Sequence, residues 1–180
     1  FVISYVGAHG ISQNLSTVLK VVKKLRTYKN IEFLFVGEGA EKDKLKQIVK
    51  EEELTNVQFI DAQPKEAIAE FYNSSDLCLI PLKNIELFKT FIPSKMFEIM
   101  ACGVPIVASL EGEAAQILED SKAALVVQPD NPNEIAAAIE ELMNDKEKYS
   151  QMKANGPEFV EKNYSRNKLA ERYLEIINNA

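Results

Sequence analysis

Apolar positions along the chain follow two alternating periods. Short β-branched runs at Ile3–Val6, Ile31–Val36, Val57–Ile60, Leu77–Ile80, Ile106–Ser109 and Ala124–Val127 are bounded by Gly, Pro, Asn or Asp and predict six strands. Continuous apolar runs of this kind predict strands buried on both faces of a parallel sheet. Between them, Leu15–Tyr28 sets Leu15, Val18, Leu19, Val22 and Leu25 on one face with lysines opposite, and Glu41–Glu53 repeats the pattern with Leu45, Ile48 and Val49. Both read as amphipathic crossover helices. Further helices are expected at Lys65–Asn73, Ser94–Cys102, Glu113–Asp120 and Asn133–Asn144, the last capped through Asp130-Asn131-Pro132. Strands alternating with helices predict a doubly wound parallel α/β sheet.

After the last strand the pattern becomes wholly helical. Glu147–Phe159 is weakly patterned, and Gly156-Pro157 predicts a break. Ser165–Asn178 opens on a capping serine and carries Leu169, Tyr173, Leu174 and Ile177 on one side, which predicts a docked terminal helix. The first strand opens almost at residue 1, so further chain is expected before Phe1.

Composition narrows the chemistry. With 46% hydrophobic and 27% charged residues, 180 residues suffice for one domain with a full core. The formal charge of −6 argues against a surface that binds nucleic acid or anionic membrane throughout. No apolar run approaches the roughly 20 residues of a membrane span, and Cys78 and Cys102 lack any CxxC spacing, so a reducing cytoplasm is expected, without a disulfide framework or zinc. His9 is the only histidine, which removes any two-histidine metal motif.

In an open parallel sheet, ligands bind beyond the carboxyl ends of the strands, so the loops there carry the candidate residues. Gly7-Ala8-His9-Gly10 is a small-residue turn whose amides can approach an anion, although it lacks the GxGxxG fingerprint; an ordinary turn with His9 on the surface is the plainer alternative. Gly37-Glu38-Gly39 offers an unobstructed edge for a flat ring, or simply a turn. Asp61-Ala62-Gln63-Pro64 places further backbone groups near the same crevice.

The most informative stretch runs from Thr90 to Ala108. Pro93-Ser94 reads as a helix start and Gly103 as its stop. Ser94, Lys95 and Glu98 would share one face while Phe97, Met100 and Ala101 pack inward. A diphosphate at that N-terminus would meet unpaired amides and the helix dipole, worth roughly 0.3–1 kcal/mol per charge, together with the Lys95 ammonium. Glu98, one turn deeper, suits neutral hydroxyls such as those of a ribose. A surface Lys95–Glu98 pair is the competing explanation.

Taken in order, Phe35-Val36-Gly37-Glu38-Gly39, Asn56–Ile60, Phe71–Pro81 and above all Glu98–Ala108 resemble the C-terminal, donor-binding half of a GT-B retaining glycosyltransferase of the family 4, or group 1, type. The resemblance covers nearly all of residues 1–180 and implies a Rossmann-like domain with its N-terminal acceptor domain absent. It implies a nucleotide diphosphate sugar as donor, UDP-sugar favoured, and a glycan or lipid-linked acceptor. The pathway would be bacterial surface-polysaccharide (capsule, O-antigen or related) biosynthesis, at the cytoplasmic face of the membrane through peripheral contacts of the absent domain. The base would lie against Gly37–Gly39 and Ala62, Gln63 and Pro64, with Glu98 on the ribose. The diphosphate would meet Ser94, Lys95, Met96 and the Gly7–Gly10 turn, with Thr90 alongside. Lys95 and Glu98 become the catalytic candidates, with neither metal nor cofactor, and the domain alone is expected to be inactive.

Two departures stand out. Thr90 occupies the place of the family's other glutamate, eight residues before Glu98, and Gln13-Asn14 stand near the expected lysine-glycine, so Lys95 is expected to supply the missing positive charge. A UDP-sugar 2-epimerase would need more carboxylates and histidines at the sugar than His9 supplies, and a non-catalytic nucleotide-binding module would consume nothing. Product analysis separates these alternatives.

Overall fold

A computed structural model describes residues 1–178 of the chain. Six parallel strands lie in the order β3-β2-β1-β4-β5-β6: β1 Val2–Val6, β2 Glu32–Val36, β3 Val57–Ile60, β4 Leu77–Pro81, β5 Ile106–Ser109 and β6 Ala124–Val127. Winding proceeds outward from β1 in both directions, so the topological switch lies between β1 and β4.

Period-two alternation divides the core between the faces. Ile3, Tyr5, Phe33 and Phe35 meet α1 (Leu15–Lys24), α2 (Lys42–Glu51) and α6 (Pro132–Asn144), while Val6, Val36, Ile80 and Ile106 meet α3 (Ile68–Asn73), α4 (Lys95–Ala101) and α5 (Glu113–Ser121). The prediction that every strand is fully buried holds for β4 and β5 and fails at the start of β2, where Glu32 is exposed, and at the edges. Gln58 of β3 is exposed and all four residues of β6 are half-buried, because an edge strand has a neighbour on one side only. The α6 cap forms as expected: the Asn131 side chain accepts from the Asn133 and Glu134 amides, with Pro132 in the first turn. Helix α1 stops at Lys24 rather than Tyr28, and the predicted second crossover helix is shortened to Lys42–Glu51.

The C-terminal region departs further. Instead of breaking at Gly156-Pro157, α7 runs unbroken from Lys146 to Tyr164 and packs across α4. Proline removes the amide that would bond the Lys153 carbonyl, but that carbonyl faces Gly103, where an added Cβ would stand 3.1 Å away. Gly156 presses on α4, where a Cβ would lie 2.7 Å from the Met100 carbonyl oxygen. The helix thus continues through the proline while packed closely against the end of α4. Gly103 stops α4 as predicted: at φ +65° its amide bonds the Met100 carbonyl while that of Val104 bonds Ile99, the paired closure of a left-handed helix cap. Helix α8 (Arg166–Asn178) is not docked, since none of its residues is buried and Leu169, Tyr173, Leu174 and Ile177 are all exposed. No helix among the described residues is long and apolar enough to cross a membrane.

Candidate functional site: a cleft beside the topological switch

The loops after β1 and β2 continue the strand pairing past the ends of the strands. Gly7 N–H donates to the Val36 carbonyl, His9 N–H to Glu38, and Glu41 N–H to His9, each at 2.8–2.9 Å. This explains the glycines differently from the sequence. At Gly37, φ +141°, a Cβ would stand 2.0 Å from the Gly7 carbonyl oxygen, and at Gly39 a Cβ would stand 2.5 Å from that of His9. Their missing side chains admit the neighbouring loop.

His9 is not on the surface. Its ring is fully buried, with centroids about 6 Å from those of Tyr5, Phe35 and Phe59, and neither ring nitrogen has a hydrogen-bond partner in the protein. Burial, followed by the charge of Lys42, pushes its pKa down to about 4, so the imidazole is neutral at pH 7. His9 thus offers its backbone, rather than its ring, to the turn. Gly10 lies beneath the Gln13 side chain, and Asn14, at φ +43°, takes the left-handed position at the head of α1.

A cleft of about 250 Å³ opens between the ends of β1, β2 and β3, lined by Val6, Gly7, Ala8, Val36, Gly37, Glu38, Ala62, Gln63 and Ile68. It brings together most of the residues expected to receive the base. Pro64 lies just beyond, at the start of the 3-10 turn Lys65–Ala67. Lys42 is not among the candidates read from the sequence, yet its buried ammonium donates to the Gly37 carbonyl and to the carboxylates of Glu38 and Asp61. Its spacing of four from Glu38 on an adjoining helix was the available signal.

On the other side of the switch, Lys95 extends from α4 to the end of β1. Its ammonium donates to the Val6 carbonyl at 2.7 Å and to the Tyr5 hydroxyl at 3.4 Å, and lies 4.4 Å from the Tyr5 ring centroid. A Cβ at Gly7 would fall 2.2 Å from that nitrogen, so the first loop needs glycine for Lys95 to reach it. Burial lowers the Lys95 pKa to about 8, with partial compensation from Cys78 and Glu98. The surface pair with Glu98 does not form. No carboxylate lies within ion-pair distance of Lys95 among the described residues, leaving a half-buried cation.

The remaining candidates on and before α4 are less uniform. Ser94 is exposed, already helical in φ and ψ, and makes no side-chain cap. Met96 is wholly buried and its amide bonds back to Pro93, so it faces the core. Glu98 is exposed, close enough to Tyr72, Cys102 and Lys95 for its charge to raise their pKa values. Thr90 ends the 3-10 turn Glu86–Thr90, exposed, with its hydroxyl on the Leu87 carbonyl.

An open α/β sheet with an unpaired cation at its switch point and a loop-lined cleft beside it is a common setting for ligand binding. The family model for glycosyl transferases group 1 matches residues 1–159, and the chain belongs to that family. The uncharacterized glycosyltransferase MJ1178 of Methanocaldococcus jannaschii is 23% identical over 88% of this chain and 42% of its own length. WcaI of Escherichia coli, a glycosyl transferase named for colanic acid biosynthesis, is 28% identical over 79% of this chain and 35% of its own length. The chain therefore spans well under half of these relatives. Among solved structures, Anabaena HepE in complex with UDP-glucose superposes with a TM-score of 0.86 at 18% identity, over all of this chain and 49% of HepE, and shares the GT-B domain fold.

Proposed function

We propose that the chain is the donor-binding half of a retaining, metal-independent glycosyltransferase that takes a sugar from a nucleotide diphosphate, UDP-sugar favoured, for surface-polysaccharide synthesis. The observation that carries this reading is Lys95, a half-buried ammonium at the β1/β4 switch with no carboxylate to neutralise it. Such a cation gains most from an anion delivered to it, because burial has already weakened its hydration. A departing diphosphate develops charge as the bond from the anomeric carbon to its oxygen breaks, and Lys95 would stabilise that charge. The new bond would form to an acceptor oxygen on the same sugar face. The acceptor and any group that removes its proton would come from an N-terminal half, so residues 1–180 alone should transfer no sugar. The names of WcaI and of the UDP-glucose complex of HepE support the pathway and the donor class.

Calorimetric titration with UDP, GDP and ADP tests the reading, with UDP expected to bind tightest and failure of all three to bind counting against it. Glu98→Gln should weaken UDP about three- to tenfold while leaving inorganic pyrophosphate unchanged, because losing a carboxylate acceptor weakens its hydrogen bonds to neutral hydroxyls. An equal loss for both ligands would assign Glu98 to structure.

A further inference from the structure

Lys42 takes no part in the contacts proposed above, yet it is the one buried lysine among the described residues. Its ammonium makes three bonds, to the Gly37 carbonyl at 2.9 Å, to Glu38 at 2.5 Å and to Asp61 at 2.7 Å. Gly37 and Glu38 form one wall of the cleft, and Asp61 adjoins Ala62 and Gln63, which form the other. Regular pairing between these segments ends where the Gly37 amide bonds Ile60. Beyond that point the Lys42–Asp61 bond spans the two loops. Packing does not hold Asp61 in place, since its side chain is 82% exposed; the ammonium does, and it holds the carboxyl below its usual range. Although burial opposes the charge on Lys42, its bonds to Asp61 and Glu38 outweigh that penalty and raise its pKa.

We infer that Lys42 is a positioning residue that ties the loop after β2 to the loop after β3 and so sets the width of the slot for the nucleoside base. The inference rests on the donor-binding reading. Removing the ammonium leaves two carboxylates facing one another and the Gly37 carbonyl without its partner, so the walls separate. Base affinity suffers, whereas a ligand lacking a base does not register the change.

Calorimetry with UDP and with inorganic pyrophosphate on wild-type and variant chains tests this. Lys42→Met should weaken UDP about tenfold or more and leave pyrophosphate within about twofold, while Lys42→Arg, which keeps the charge and donors, stays within about threefold of wild type for both. Asp61→Asn, at an exposed side chain that cannot unfold the domain, should weaken UDP about three- to fivefold, and should add nothing in the Lys42→Met background. Equal losses for UDP and pyrophosphate, or additive effects of Lys42 and Asp61, overturn the inference. If the wild type binds neither ligand, the donor reading itself has failed; if it binds both and Lys42→Met leaves their ratio unchanged, only the clamp has.

Discussion

Lys95→Met is expected to weaken UDP binding at pH 7 by about 10–100-fold, the value of one or two charge-assisted hydrogen bonds to a phosphate. The pH profile of the wild type identifies the cause. With a pKa of about 8 in the free protein, Lys95 is largely charged at pH 7 and titrates well below an ordinary lysine. A bound diphosphate favours the charged form and raises that pKa, so binding above pH 8 takes up a proton. UDP affinity should therefore be flat from about pH 7 toward 8, then fall by up to about tenfold per pH unit until the pKa of the complex is passed. Lys95→Arg keeps its charge and should show no such inflection. Calorimetry between pH 7 and 10 resolves both curves, and a wild-type profile as flat as that of Lys95→Arg would show that Lys95 does not hold the phosphates. Raising the salt concentration should weaken wild-type binding more than that of Lys95→Met, since the variant has lost the charge being screened.

That prediction depends on a contact the sequence could place only in part. Pattern located α4 and its terminus, because Pro93 and Gly103 are local signals, but only Met100 of the expected inner face is buried: Met96 and Ile99 join it, while Phe97 is half-buried and Ala101 exposed. Pattern alone could not show that Lys95 crosses from the β4 side of the sheet to the end of β1, since that depends on strand order and on an absent side chain at Gly7. The alternative that puts His9 on the surface fails for a related reason. A polar residue between glycines reads as surface, and only the pairing of the first two loops folds its ring in among Tyr5, Phe35 and Phe59. Local rules also failed at Pro157, where the helix packed against α4 continues through the proline, and at the terminal helix, whose apolar stripe was visible but whose burial depends on what surrounds it. Lys42 went unnoticed because a lysine in a charged helix looks like solvated surface until its partners on two loops are seen.

Gly37→Ala is expected to be the most damaging small substitution at the site, costing on the order of 3–5 kcal/mol of folding stability. Two effects combine. At φ +141° an L-residue is strained, and the new Cβ would stand 2.0 Å from the Gly7 carbonyl oxygen, a backbone atom that cannot rotate aside. Gly10→Ala is the internal control, because its Cβ would meet only the end of the Gln13 side chain, 2.8 Å away, at a backbone conformation open to any residue. That change should cost less than about 1 kcal/mol. Urea denaturation of the two variants beside wild type measures the difference, and similar midpoints would mean that the first two loops are not packed backbone on backbone. Function follows from the same contact. The oxygen displaced by an alanine at position 37 belongs to Gly7, one residue beyond the Val6 carbonyl that holds Lys95. Whatever fraction of Gly37→Ala folds should therefore bind UDP more weakly and lose the inflection near pH 8, whereas Gly10→Ala keeps both.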